Sequence, residues 1–179
     1  KIYPKITTIM VTGTNGKSTT CKIIYDLIKN SRKYNSYLLG NIGRPVLDIK
    51  PKKNCICIIE ASSFQLFYSK NLNPDHALLI NLSRDHIDWH KNESNYQKSK
   101  FRIFLNQNRG DFAYLENKLL IKEFIKQKYK SKLIHVKQND LKKLKNKILI
   151  EYFKNEANYQ NLRFAFKISK RLKISDTNF

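Results

Sequence analysis

Short apolar runs alternate with longer amphipathic segments along the whole chain. Residues 6–11 are rich in β-branched side chains and predict a buried strand; residues 13–16 then turn. The spacing over 17–29 predicts a helix with Ile23, Ile24, Leu27 and Ile28 inward. A short strand over 36–39 leads into the turn Gly40-Asn41-Ile42-Gly43, and Pro45 suits the first position of a helix. Two more buried strands follow at 55–60 and 76–81, then a helix over 93–106, a strand over 111–115, a helix over 117–127 and a strand over 132–136. Residues 140–153, with lysines at short spacing, predict a solvated edge or hairpin, and 158–172 predict a helix packing through Leu162, Ala165, Phe166 and Ile168. Such alternation predicts an α/β fold, a mostly parallel sheet flanked by helices on both faces, with ligands at the carboxyl ends of the strands. No internal repeat or linker breaks the pattern, so residues 1–179 read as one domain.

The sharpest local signal lies between the first strand and the first helix, at Thr12-Gly13-Thr14-Asn15-Gly16-Lys17-Ser18-Thr19. Two glycines let the backbone curl so that its N–H groups face one concavity, and the helix beginning near Lys17 adds the positive end of its dipole. Lys17 can reach terminal phosphate oxygens and the Ser18 hydroxyl can hold Mg²⁺. The spacing is G-x-x-G-K-S, shorter than the usual phosphate loop. By itself it indicates ATP or GTP, not a reaction.

Three more polar clusters sit at or after predicted strands or on a helix. Glu60 is the only acid closing a very apolar strand, in the string EASSFQL, and a carboxylate there suits a nucleotide-bound Mg²⁺. His86 lies between Asp85 and Asp88 in NLSRDHIDWH, an arrangement suited to metal or acid–base work. Tyr96 and Lys100 share a helix face in YQKSKFRIF, where Lys100 taken alone is one surface lysine among many.

Together with the late Asn158-Tyr159-Gln160-Asn161, these strings follow the order and approximate spacing of the ATP-dependent Mur ligases. The phosphate loop resembles the short form of that family, and EASSFQL resembles its D-glutamate-adding branch. The resemblance spans essentially the whole chain and implies the central ATP-binding domain of a three-domain enzyme, with a UDP-binding domain before it and a C-terminal domain after it. It implies an ATP-dependent ligase of peptidoglycan precursor synthesis that joins UDP-N-acetylmuramoyl-L-alanine to D-glutamate through an acyl phosphate. Gly13, Thr14, Asn15, Gly16, Lys17, Ser18 and Thr19 would then bind ATP, with Asn158 and Asn161 near the adenine. Ser18 and Glu60 would hold one Mg²⁺ and His86 a second. Lys100 matches the family lysine that reacts with carbon dioxide to form a carbamate ligand. Lys17, Glu60, His86 and Lys100 are thus the expected catalytic set. Asn41, Ser62 and Tyr96 match positions that line the muramoyl substrate. The chain departs from the family at Ala157, where His is usual, at Lys154-Asn155, where Lys-Gly is usual, and at Ala61, where Leu is common.

Composition narrows the alternatives. Lys and Arg number 35 against 14 Asp and Glu, a formal charge of +21. The lysines are scattered over every segment, alongside much Asn and Ile, and no one-sided footprint for nucleic acid emerges. A basic nucleic-acid-binding domain would leave the ordered motifs without a role, and so would a phosphate-loop kinase or GTPase. A relative with another acceptor, such as another Mur ligase or a folylpolyglutamate synthase, shares the same core. The longest apolar runs, such as 55–59 and 77–80, are far short of a membrane span. Three cysteines suit a reducing compartment, so a cytoplasmic monomer is expected. Cys55 and Cys57 should face one side of their strand as small apolar groups, and Trp89 and His90 should pack in a loop. A start at Lys1, with an apolar run from Ile6, reads as a beginning inside a longer protein.

Overall fold

The computed structural model describes residues 6–142, 144, 148 and 150–175. Six strands form one sheet: β1 (Ile6–Thr12), β2 (Asn35–Gly40), β3 (Cys55–Glu60), β4 (His76–Leu79), β5 (Phe112–Leu115) and β6 (Lys132–His135). All pairings are parallel, in the order β2-β3-β1-β4-β5-β6. Six helices connect or flank them: α1 (Lys17–Asn30), α2 (Ser63–Tyr68), α3 (Ile87–His90), α4 (Glu93–Phe101), α5 (Lys118–Lys126) and α6 (Glu156–Arg171).

Strand alternation divides the core into two layers. Ile9 and Val11 of β1 pack with Ile24 and Ile28 of α1 and Phe164, Ala165 and Ile168 of α6. Met10 points the other way, into a layer with Leu66 of α2, Phe101 of α4, and Leu120 and Phe124 of α5. Both faces of β1 are therefore covered, which explains why it reads as a continuous apolar run rather than an alternating one. Cys55 and Cys57 share a small cluster with Leu39 at the β2 side, on one face as expected. Among the described residues no helix is long and apolar enough to cross a membrane.

Several expectations are corrected. The helix over 93–106 ends at Phe101 and tightens into a 3₁₀ turn, Arg102–Phe104. Pro45 precedes only a single 3₁₀ turn, Val46–Asp48. Ile23 is only partly buried. Helix α6 begins two residues early, because the Asn155 side chain accepts from the Asn158 N–H and caps it. Trp89 and His90 lie in α3, not in a loop. Within 140–153, residues 143, 145–147 and 149 lie outside the described residues; Leu141 is fully buried and Glu151–Phe153 form a 3₁₀ turn, which fits neither an edge nor a hairpin.

At the amino end of the sheet, His76 is buried, its Nδ1 2.9 Å from the Tyr114 hydroxyl and its ring stacked on Phe112. Burial is the main cause that lowers its pKa from 6.5 to about 4; Asp75 opposes the shift and Arg171 adds to it. Between those two pH values the unfolded chain binds more protons than the folded one. Stability is therefore fully present above pH 6.5 and is lost as pH falls through about 4. A drop from 6.5 to about 4 corresponds to about 3 kcal/mol. Urea melts at neutral and acid pH should show His76→Gln losing that much less stability on acidification than the parent. An equal loss in both proteins would assign the acid sensitivity elsewhere.

Candidate active site

β1 lies at the middle of the sheet with β3 on one side and β4 on the other, so the loops leaving these three strands meet at one rim. The first is the glycine loop. Gly13 passes so close to β4 that a Cβ would sit 2.5 Å from Ile80 Cγ1. Gly16 adopts φ 80°, and a Cβ there would sit 2.5 Å from Asn161 Oδ1. Neither place admits a side chain. Helix α1 then begins without a side-chain cap, which leaves its first N–H groups directed at the loop's concavity.

Asn81, two residues past the end of β4, clasps this loop. Its Oδ1 accepts from the Thr14 and Asn15 N–H groups at 2.9 and 3.0 Å, and its Nδ2 donates to the Asn15 carbonyl at 2.9 Å. The Thr14 hydroxyl accepts from the Ser83 N–H at 3.0 Å and lies 3.1 Å from the Tyr96 hydroxyl. The phosphate loop is thus tied to the loop that carries His86 and to helix α4.

Two ammonium groups converge on one carbonyl. Lys17 Nζ folds back to donate to the Gly13 carbonyl at 3.0 Å and to that of Thr14 at 2.7 Å. Lys100 Nζ donates to the same Gly13 carbonyl at 2.7 Å and to Thr12 Oγ1 at 3.4 Å. Lys100 is only 2% exposed and lies against the Tyr96 ring, which corrects its reading as a surface lysine. Burial first, and then the Lys17 charge, lower its pKa from 10.5 to about 7, while Asp85 and Glu60 act in the opposite sense. Those influences place Lys17, Lys100, Asp85 and Glu60 in one electrostatic site.

Glu60 ends β3, paired with Val11 of β1 and Gly40 of β2. It is 2% exposed. Asn41 Nδ2 donates to its Oε1 at 3.2 Å, whereas Oε2 is buried without a partner among the described residues. An unpaired buried carboxylate oxygen is costly unless a cation completes it. A hard cation prefers such an oxygen, and Ser18, exposed in the first turn of α1, offers a hydroxyl, so these donor types fit Mg²⁺. Among the described residues no three His, Cys, Asp or Glu side chains form a ready cage. A cation here would draw its other oxygens from phosphate and water, as Mg²⁺ commonly does.

The remaining expected residues fall around this centre. His86 has φ 50° at the start of α3, half exposed, its Nε2 3.4 Å from Asp85 Oδ2 and its ring 6.2 Å from that of Tyr96. Tyr96 is buried, and burial raises its pKa. Asn161 is buried against Gly16, and Asn158, one turn earlier on α6, donates to the Tyr152 carbonyl at 2.9 Å. Ser62 is engaged locally: it caps α2 in a reciprocal box with Gln65. Sequence reasoning gave no role to Asn81; its signal was an amide directly after a run of buried apolar residues.

The Mur ligase middle domain family matches residues 11–175. The UDP-N-acetylmuramoylalanine–D-glutamate ligase of Pseudothermotoga lettingae is 32% identical over 169 residues, covering 89% of this chain and 38% of that protein. Its namesake from Lacticaseibacillus casei is 42% identical over 106 residues, covering 58% of this chain and 23% of the relative. The chain therefore spans well under half the length of these curated relatives. In structure it is similar to the MurF ligase of Thermotoga maritima, solved in complex with ADP, at TM-score 0.70 and 15% identity over 98% of this chain and 48% of that one. MurF from Acinetobacter baumannii gives 0.68 and 15%, over 97% and 44%. Residues 11–175 carry both the profile and the site just described, and the chain belongs to the Mur ligase middle domain family.

Proposed function

We propose that this chain is the ATP-binding domain of a ligase that joins D-glutamate to UDP-N-acetylmuramoyl-L-alanine at the expense of ATP. The observation that carries this reading is the convergence of Lys17 and Lys100 on the Gly13 carbonyl, within electrostatic reach of the buried Glu60 carboxylate. Polyphosphate and an attacking carboxylate repel each other, and a site for their reaction must supply fixed positive charge and hold the oxygens in line. The choice of D-glutamate rests on the relatives from Pseudothermotoga lettingae and Lacticaseibacillus casei, both D-glutamate ligases by name. ATP as the nucleotide accords with the ADP complex of the MurF neighbour.

In this reading the substrate carboxylate attacks the γ-phosphorus, ADP leaves, and the amine of D-glutamate then displaces phosphate from the acyl phosphate to form the amide. The Gly16–Thr19 amides cradle the phosphates and Lys17 neutralises their terminal oxygens. Glu60 and Ser18 would hold one Mg²⁺, and His86 a second. Bound Mg²⁺ supplies additional charge neutralisation to the phosphates. Lys100, with a pKa near neutrality, presents an unprotonated amine at pH 7 in a sizeable fraction of molecules, the form that adds to carbon dioxide with release of a proton. That addition converts a cation into a carboxylate donor. Asn41 and Tyr96 line the muramoyl side with Ser62, once Ser62 is released from its cap. The three buried, free cysteines accord with a cytoplasmic enzyme, which we take to act as a monomer without nucleic acid.

The test uses the full-length protein with ATP, Mg²⁺ and UDP-N-acetylmuramoyl-L-alanine. Phosphate release should require D-glutamate, and the product should contain one new amide. Turnover with a different amino acid or dipeptide, and none with D-glutamate, would move the protein to another branch of the family.

A further inference from the structure

One exposed aromatic residue near the site has no role in the chemistry above. Tyr152 lies in the 3₁₀ turn Glu151–Phe153 and is 53% exposed. Its hydroxyl is 3.5 Å from Thr19 Oγ1, in the first turn of the helix that follows the glycine loop. Its carbonyl accepts from Asn155 Nδ2 at 3.2 Å and Asn158 Nδ2 at 2.9 Å, which anchors the turn to the start of α6. Phe153 meets the ring edge-on with centroids 5.3 Å apart. The tyrosine is therefore held between the start of α1 and the start of α6.

A track of residues leads from the phosphate loop to this ring. Asn161 touches Gly16, and Asn158 lies three residues back, about 4.5 Å along the helix axis. Tyr152 is bonded to Asn158 at the outer end. A nucleotide whose phosphates fill the loop must run its sugar and base away from Gly16, and this track is polar along its floor with an aromatic ring at its end. Ala157, beside Asn158, is exposed and offers only a methyl group.

We infer that Tyr152 is the base-stacking platform of the nucleotide site, resting on the nucleotide-binding reading above. Stacking on an aromatic ring tolerates any base, because every base has a π face. Tyr152 therefore adds affinity without choosing between adenine and guanine, and any choice falls to the amides of Asn158 and Asn161.

Calorimetric titration of the full-length protein with the Mg²⁺ complexes of ATP, GTP and inorganic tripolyphosphate separates base from phosphate binding. Tyr152→Ala should weaken ATP and GTP about ten-fold, equal to about 1.4 kcal/mol, while tripolyphosphate binds as before. Tyr152→Phe, which keeps the ring, should stay within about two-fold of the parent. Unchanged ATP affinity in Tyr152→Ala overturns the inference. So does an equal loss for tripolyphosphate, which would make the residue a prop for the loop, or an equal loss in Tyr152→Phe, which would assign the effect to the hydroxyl. A parent chain that binds neither nucleotide nor tripolyphosphate would overturn the nucleotide reading itself, and this inference with it.

Discussion

Lys17→Ala in the full-length protein should lower ATP turnover about a thousand-fold or more while changing its melting behaviour little. The rate effect follows from position: Lys17 is the first residue of α1 and its ammonium lies within the curl of the glycine loop, bonded to two of that loop's carbonyls. A single preorganised donor to developing charge is worth about a hundred- to a thousand-fold, and a full charge facing phosphate should sit at or above that upper end. The stability effect is limited because the side chain is only part-buried, where water can replace its two hydrogen bonds, and because its removal relieves the repulsion of Lys100. The same substitution has a second readout. Lys17 is one of the causes that hold the Lys100 pKa down, so its removal should move the Lys100 titration up toward 10.5. Labelling with an amine-specific reagent across a pH series would follow that shift. Undiminished turnover in Lys17→Ala would remove the phosphate-loop assignment.

The central strands β1, β3, β4 and β5 were legible because each is rich in apolar or β-branched residues, as a parallel sheet covered on both faces requires. The glycine loop was legible for a similar reason: Gly13 and Gly16 are two of only five glycines, and each proves to occupy a place where a Cβ would clash. The short helices α2 and α3 escaped notice, since six and four residues carry too little periodicity to read. Lys100 shows a different limit. With 35 basic residues in the chain, composition hides one buried lysine among many exposed ones, and only the resemblance singled it out. Its burial depends on Tyr96, one turn back on α4, and on Thr12 and the Gly13 carbonyl, both distant in sequence. Asn81 eluded a reading for the same reason: its clasp is made to residues 66 and 67 positions earlier.

Lys100→Met should produce a protein that is more stable than the parent at pH 6 and inactive as a ligase. A lysine whose folded pKa is about 7, against 10.5 when unfolded, is a group the fold holds at a cost while it is charged. Between those values the unfolded chain binds more protons, so the parent's stability rises with pH from about 7 to 10.5. Below pH 7 the penalty is fully present. Its ceiling is about 5 kcal/mol from the shift alone, and loss of the hydrogen bond to Gly13 offsets part of it. A gain of about 2 kcal/mol at pH 6 is the expected net, shrinking as pH approaches 10.5, because a methionine has no charge to desolvate. Denaturant melts of the two proteins at pH 6 and pH 10 measure it. The Gly13 carbonyl keeps Lys17 as a donor in the variant, so no acceptor is stranded. A variant less stable than the parent at pH 6 would mean that the Gly13 bond outweighs the buried charge. The expected opposite movement, stability gained and activity lost, is what separates a lysine kept for chemistry from one kept for the fold: a structural residue does not destabilise the state it serves.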